Sequence, residues 1–153
     1  MKTYMKHLFI TFFAILNMNI ISSCNKDNSP LPEPDGGNQI QLTIGGNRFT
    51  ATLYQNETAG AFKKLLPMTI NMKELNGNEK YYDLPNNMPT NASNPGRIQN
   101  GDLMIYGSRT LVLFYKSFNT SYSYTRLARI DDPSGLQNAL GSGNVTVTFE
   151  LKD

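Results

Sequence analysis

The stretch "GDLMIYGSRTLVLFY", Gly101 to Tyr115, decides the fold. "DLMIY" and "TLVLFY" are almost uniformly apolar, and Gly107-Ser108 lies between them as a turn. Short apolar runs bounded by turn residues read as the central strands of a sheet.

Outward from this pair, the pattern is mostly period two. "QIQLTI" puts Ile40, Leu42 and Ile44 on one face, and "RFTATLY" does the same with Phe49, Ala51 and Leu53. Gly45-Gly46-Asn47 between them reads as a hairpin turn. Asn76-Gly77 gives a second hairpin signal, between "MTINMKEL" and "EKYYDL". At the end, "VTVTFEL" sends Val145, Val147, Phe149 and Leu151 inward and Thr146, Thr148 and Glu150 outward. Two short helices interrupt the strands. Asn56 caps "ETAGAFKKLL", with Ala59, Phe62 and Leu66 on the buried stripe. Asp132 caps a second helix, with Pro133 at its first position and Gly141 just past its end.

The order is therefore two strands, a helix, five strands, a helix and a strand. Many strands with few helices in a small domain favour a closed barrel, because closure removes exposed edges. The long polar segment Pro85 to Gly101 reads as a lid or a mobile loop.

The N-terminus reads as a secretory signal. Lys2 and Lys6 precede the apolar run Leu8 to Ile21, and small residues follow. That run spans only about 21 Å as a helix, short of the ~30 Å hydrocarbon core. Ile21-Ser22-Ser23-Cys24 resembles a bacterial lipobox of the relaxed type found in Bacteroidetes lipoproteins, with Ile in the leading position and Ser where Gly or Ala is commoner. Against an ordinary secreted protein stands the position of this sole Cys, right where the signal ends. The chain thus divides into a signal peptide (1–23), a Pro/Gly tether after lipidated Cys24 (24–38) and one domain (39–153). Pro30, Pro32 and Pro34 favour an extended tether. The expected location is the cell envelope, anchored by lipid to the periplasmic face or cell surface of the outer membrane.

Processing at Cys24 limits the chemistry. His7 is the sole histidine and leaves with the signal, while the sole thiol becomes a thioether. The mature domain then has neither group. Ser-His-Asp and Cys-His catalysis are excluded, as are zinc sites built on His or Cys. No cofactor or metal is expected. Loss of Lys2 and Lys6 takes 14 basic residues to 12, against 12 acidic. A neutral domain has no electrostatic footprint for nucleic acid.

"GDLMIYGSRTLVLFYKSFNTSYSYTRLARIDDP" resembles the bacterial cyclophilin-like fold family, and "NGNEKYYDLP" and "GSGNVTVTFEL" are also similar to it. The resemblance covers nearly all of the domain. It implies a mainly β fold, a closed eight-stranded cyclophilin-like β-barrel with two short capping α-helices. It brings no established activity. True cyclophilins isomerise X-Pro bonds with an Arg in a Phe-His-Arg string; "NMKELNGNEKYYDLP", in the corresponding region, has neither His nor Arg. No catalytic residue carries over, and fold alone does not license the activity.

The candidate site is "SFNTSYSYTR", Ser117 to Arg126. If Ser121 to Ile130 is a strand, Tyr122, Tyr124 and Arg126 share one face. Two aromatic platforms beside a guanidinium grip a carboxylate, a peptide carbonyl or a sugar ring. Phe118 and Tyr115 add apolar wall. The competing reading is structural: the rings pack on neighbouring strands and Arg126 lies over one of them. Other charged residues read as structural: Asp131-Asp132 and Asp102 as caps or turns, Lys63-Lys64 as a solvated face, Arg97 as a surface residue. Met68, Met72 and Met104 read as core filler.

Two functions follow. One is a lipid-anchored module that binds a peptide or small molecule at the barrel rim without chemistry of its own. The other is a peptidyl-prolyl isomerase or chaperone-like folding helper of the envelope.

Overall fold

The inward rows of the alternating strands close on themselves. The computed structural model describes residues 38–152. The signal, Cys24 and the tether before residue 38 lie outside the described residues. β1 (Gln39–Ile44) and β2 (Asn47–Leu53) form a hairpin across Gly45 and Gly46. Both glycines have positive φ, 54° and 84°, as a two-residue turn matching strand twist demands. The short helix α1 (Glu57–Lys63) follows, then β3 (Met68–Leu75) and β4 (Glu79–Asp83). The two-residue β5 (Arg97–Ile98) precedes the predicted central pair, β6 (Asp102–Tyr106) and β7 (Thr110–Phe114). β8 (Phe118–Asn119), β9 (Tyr124–Ile130), α2 (Leu136–Leu140) and β10 (Val145–Leu151) complete the described chain.

Eight strands make one closed antiparallel barrel in the order β1-β10-β3-β4-β7-β6-β9-β2, while β5 and β8 pair apart from it. The core is the barrel interior. Ile40, Leu42 and Ile44 meet Phe49, Ala51 and Leu53 there, with Leu103, Leu113 and Phe149 from other strands. Both helices contribute to the same cluster, through Ala59 and Phe62 of α1 and Leu136 and Leu140 of α2. The Phe62 ring stands edge-on to Phe149 at 5.8 Å. Burying a side chain of that size contributes about 2–3 kcal/mol.

The uniform apolarity of β6 and β7 has a specific cause. Their outward residues Met104, Val112 and Phe114 form a second cluster with Ile98 and Tyr124. The β5–β8 pair covers it, with Ile98 opposite Phe118. The 85–101 segment is tied along its length. Thr58 Oγ1 donates to Pro89 O at 2.7 Å, the Met88 N–H to Ser108 O at 2.7 Å, and Ser93 forms a bridge with Tyr124.

Four expectations need correction. Leu151 is 54% exposed: β10 pairs with β3 only as far as Phe149, and beyond that point Leu151 has only β1 beside it among the described strands. Asp132 does not cap α2. Its Oδ1 accepts from the Ser134 N–H in a tight turn, Leu136 N–H closes on Pro133 O, and the helix begins after Gly135. α1 ends at Lys63, so Leu66 lies beyond it, half-buried against the core. β9 starts at Tyr124, which leaves Tyr122 outside the strand.

Candidate ligand-binding groove

Strand register builds the site from the outer wall of the barrel. Tyr124, Tyr106, Thr110 and Asp83 face one another across β9, β6, β7 and β4 and form one outward row. The next row runs Arg126, Met104, Val112, Tyr81. A third joins Phe114 to Glu79 and Leu75. The β8 segment and the residues up to Tyr122 rise over these rows as a wall, held by β5. Floor, wall and the 76–78 turn enclose a groove of ≈490 Å³. That volume falls in the usual range for small-ligand sites, roughly 300–1,000 Å³.

The lining is aromatic and hydroxylated. Tyr122 is 61% exposed and meets Tyr106 edge-on at 6.1 Å; Tyr106 is 46% exposed and tilts against buried Tyr124 at 5.5 Å. Phe118 packs on Phe114 at 5.7 Å, and Phe114 in turn meets Tyr124 edge-on at 5.5 Å. Val112 and Leu75 supply aliphatic surface. The charged lining groups are Glu79 and Asp83. Asp83 Oδ1 accepts from the Thr110 hydroxyl at 2.6 Å. Burial, helped by the Glu74 charge, raises the Glu79 carboxyl above its ordinary value. Burial also raises the Tyr124 phenol, with the Glu79 charge adding to the effect.

Of the sequence-selected residues, the fold brings Phe118, Tyr122 and Tyr124 to the groove and leaves Tyr115 and Arg126 out of it. Tyr115 is buried and its hydroxyl donates to the Glu74 carboxylate at 2.9 Å. Strand parity sends it away from the outer wall, since Phe114 beside it points out. Arg126 shares Tyr124's outward face, but its guanidinium lies 5.8 Å from the Tyr54 ring, and Nη1 donates to Tyr54 Oη at 3.3 Å. It does not stand beside the two tyrosines as a paired grip. The site lies on the barrel wall rather than its rim.

Sequence reasoning missed Tyr81, Tyr106, Glu79 and Asp83. The signal was parity. Lys80 and Tyr82 point inward, so Glu79, Tyr81 and Asp83 point out, and the Gly107 turn leaves Tyr106 at an open strand end.

Other acidic groups are structural. Thr52 Oγ1 donates to Asp131 Oδ1 at 2.6 Å, tying β2 to the end of β9. Asp102 accepts from the Gln99 N–H at 2.8 Å and pairs with Arg129 Nε at 3.3 Å; burial still pushes its carboxyl up. Among the described residues, no three His, Cys, Asp or Glu side chains gather as a metal site, and no helix is long and apolar enough to cross a membrane.

Comparison with known proteins fits this architecture. A sequence profile described as the Cyclophilin-like family matches residues 42–150. A hypothetical protein of Archaeoglobus fulgidus, known from its solution structure, is similar in fold at a TM-score of 0.53 and 15% identity. The match covers 81% of this chain and 99% of the archaeal one. No curated protein matches the chain.

Proposed function

The chain belongs to the cyclophilin-like family, and on that premise we propose that it is a lipid-anchored envelope protein whose barrel binds a peptide or small molecule in the outer-wall groove, without chemistry of its own. One observation carries the binding reading. Five large apolar side chains are exposed among the described residues, and three of them, Leu75, Tyr106 and Tyr122, converge on this groove. Clustered exposed apolar surface rimmed by polar groups marks interaction sites. Tyrosines suit the role because they bury large area at little entropic cost and keep a polar handle.

The anchoring reading is supported by the sequence before residue 38: the signal-like start, Cys24 where it ends, and the proline-spaced tether. Cys24→Ser is expected to abolish incorporation of labelled fatty acid and release the protein from membranes. Unchanged labelling would refute the anchor.

A prolyl isomerase must favour a twisted amide, and the group in the aromatic string that could do so is Arg126. That residue is held against Tyr54 and does not line the groove, so nothing there aims a guanidinium at a bound imide. The full chain should leave cis/trans exchange on an Ala-Pro peptide at its uncatalysed rate. Acceleration lost in Arg126→Ala would replace the binding reading with catalysis.

Ligand-observed NMR against mixed fragments and short peptides tests the groove itself. Hits should vanish in Tyr106→Ala/Tyr122→Ala and persist in Arg126→Ala. The reverse pattern would move the site to Arg126.

A further inference from the structure

The lining of the groove narrows the chemistry of its occupant, an inference that rests on the binding reading above. Among the described residues its charged lining groups are carboxylates alone; neither Lys nor Arg lines it. Glu79 and Asp83 lie on one face of β4, with Tyr81 midway between them. At about 3.3 Å per residue they are roughly 13 Å apart, an anion at either end of the floor. Among the described residues neither is ion-paired: the pairs formed are Lys80 with Glu74 and Arg129 with Asp102. Glu79 is half-buried, and such a carboxylate usually finds a cationic partner because an isolated buried charge is costly; Asp83 is exposed. Beside Glu79, the lining residue Asn78 holds a buried side-chain oxygen that has no hydrogen-bond partner among the described residues.

The aromatic lining agrees in sign. The faces of Tyr81, Tyr106 and Tyr122 present negative quadrupole potential, which attracts cations. The protein already uses Tyr81 in this way: Lys73, its cross-strand partner on β3, holds Nζ 5.9 Å from the ring centroid. Lys73 is not part of the groove lining, so the carboxylates stay uncompensated within it. Val112, Leu75 and Phe118 offer apolar surface for an aliphatic stem.

We infer that the groove takes an organic ammonium cation on an aliphatic stem, with the charge held by Glu79 or Asp83 against the tyrosine faces and the stem lying on Val112, Leu75 and Phe118. A free alkylamine and a lysine side chain on an extended peptide share this chemistry.

The test titrates the full chain, followed by NMR shifts of tyrosine ring protons, with four probes. These are n-butylammonium, N-acetyl-lysine N-methylamide and their neutral counterparts 1-butanol and N-acetyl-norleucine N-methylamide. Each cation should bind about tenfold more tightly than its neutral counterpart. The preference should shrink as ionic strength rises and fall to within about twofold in Glu79→Gln/Asp83→Asn. Tighter binding of the lysine derivative than of n-butylammonium assigns a peptide source; equal binding assigns a free amine. Equal shifts from charged and neutral probes would overturn the cation inference and leave the groove as a binding site. Absence of groove shifts with all four would overturn both. The salt dependence is read on the unaltered protein, so the inference stays testable even where the double variant folds poorly.

Discussion

Lys80 is wholly buried, and its ammonium is satisfied by three partners: the Glu74 carboxylate, Gly141 O at 2.9 Å and Gly143 O at 2.6 Å. The same carboxylate accepts the Tyr115 hydroxyl, and Lys80 Nζ stands 5.4 Å from the Tyr115 ring centroid. Burial and the Glu74 hydrogen bond push the Tyr115 phenol up to about 12. Desolvation works to raise the Glu74 carboxyl, but hydrogen bonds from Lys80, Tyr115 and the Gly77 N–H outweigh it and hold the group below its ordinary value. Lys80→Met leaves the Glu74 carboxylate without its cation and two carbonyls without a donor, and is expected to cost about 3 kcal/mol. Chemical denaturation should show a lower midpoint at unchanged slope. The sign of its pH dependence follows from the depressed Glu74 carboxyl. Stabilisation is full above the ordinary carboxylate value and is lost as pH falls through the lowered one, so the gap between wild type and variant narrows in acid. None of this could be read in the sequence. "NGNEKYY" alternates like any strand, and only closure of the barrel puts the Lys80 position inside while the Gly141–Gly143 carbonyls come down on it from the far end of the chain. Tyr115 was misplaced as groove wall for the same reason: its parity is inward.

At the scale of elements, Asn56 was legible because its task is local. Its Oδ1 accepts from the Ala59 N–H at 2.8 Å, as an N-cap ahead of an apolar stripe should. Its amide also donates to Arg126 O at 2.9 Å, a tertiary bond that no local pattern announces. Asn56→Ala removes both and should cost about 1–2 kcal/mol, while Asn56→Asp keeps the cap, loses the donor and should fall between. Thermal unfolding of the two variants checks the ranking. The Gly45-Gly46 hairpin was equally plain, since both positions need positive φ; Gly46→Ala should lower stability by about 1 kcal/mol. α2 was misread because Asp132-Pro133 is equally a tight-turn signal, and Gly135 at φ 80° separates that turn from the helix. The start of β9 was misread because the Ser/Thr/Tyr alternation runs on smoothly through Ser121–Ser123. There the chain turns instead, with the Tyr122 N–H donating to Thr120 Oγ1 at 3.1 Å. A one-residue irregularity between Leu103 and Met104 in the β6–β9 pairing then lets Leu127 and Ala128 both reach the interior, which strict alternation forbids.

For the whole molecule, hairpin signals and inward rows were enough to imply a closed cylinder, because eight short strands with few helices have few other ways to hide their edges. The groove demanded more. A ligand site on the outer wall depends on which outward residues fall in adjacent strands, and that order, β4-β7-β6-β9, follows the barrel rather than the chain. Phe118, Tyr122 and Tyr124 stood out as an aromatic string. Tyr81, Tyr106, Glu79 and Asp83 did not, since each looks ordinary until the rows are aligned. The proposed meeting point with ligand is this wall, and not the barrel interior or the exposed Leu65 and Leu151. Crystals of the protein soaked separately in phenol, isopropanol and acetonitrile test that directly, whatever the natural ligand is. The account predicts that all three solvents collect between Tyr106, Tyr122 and Phe118. An empty groove, with the solvents gathered at Leu65, Leu151 or the Lys80 end of the barrel, would contradict it.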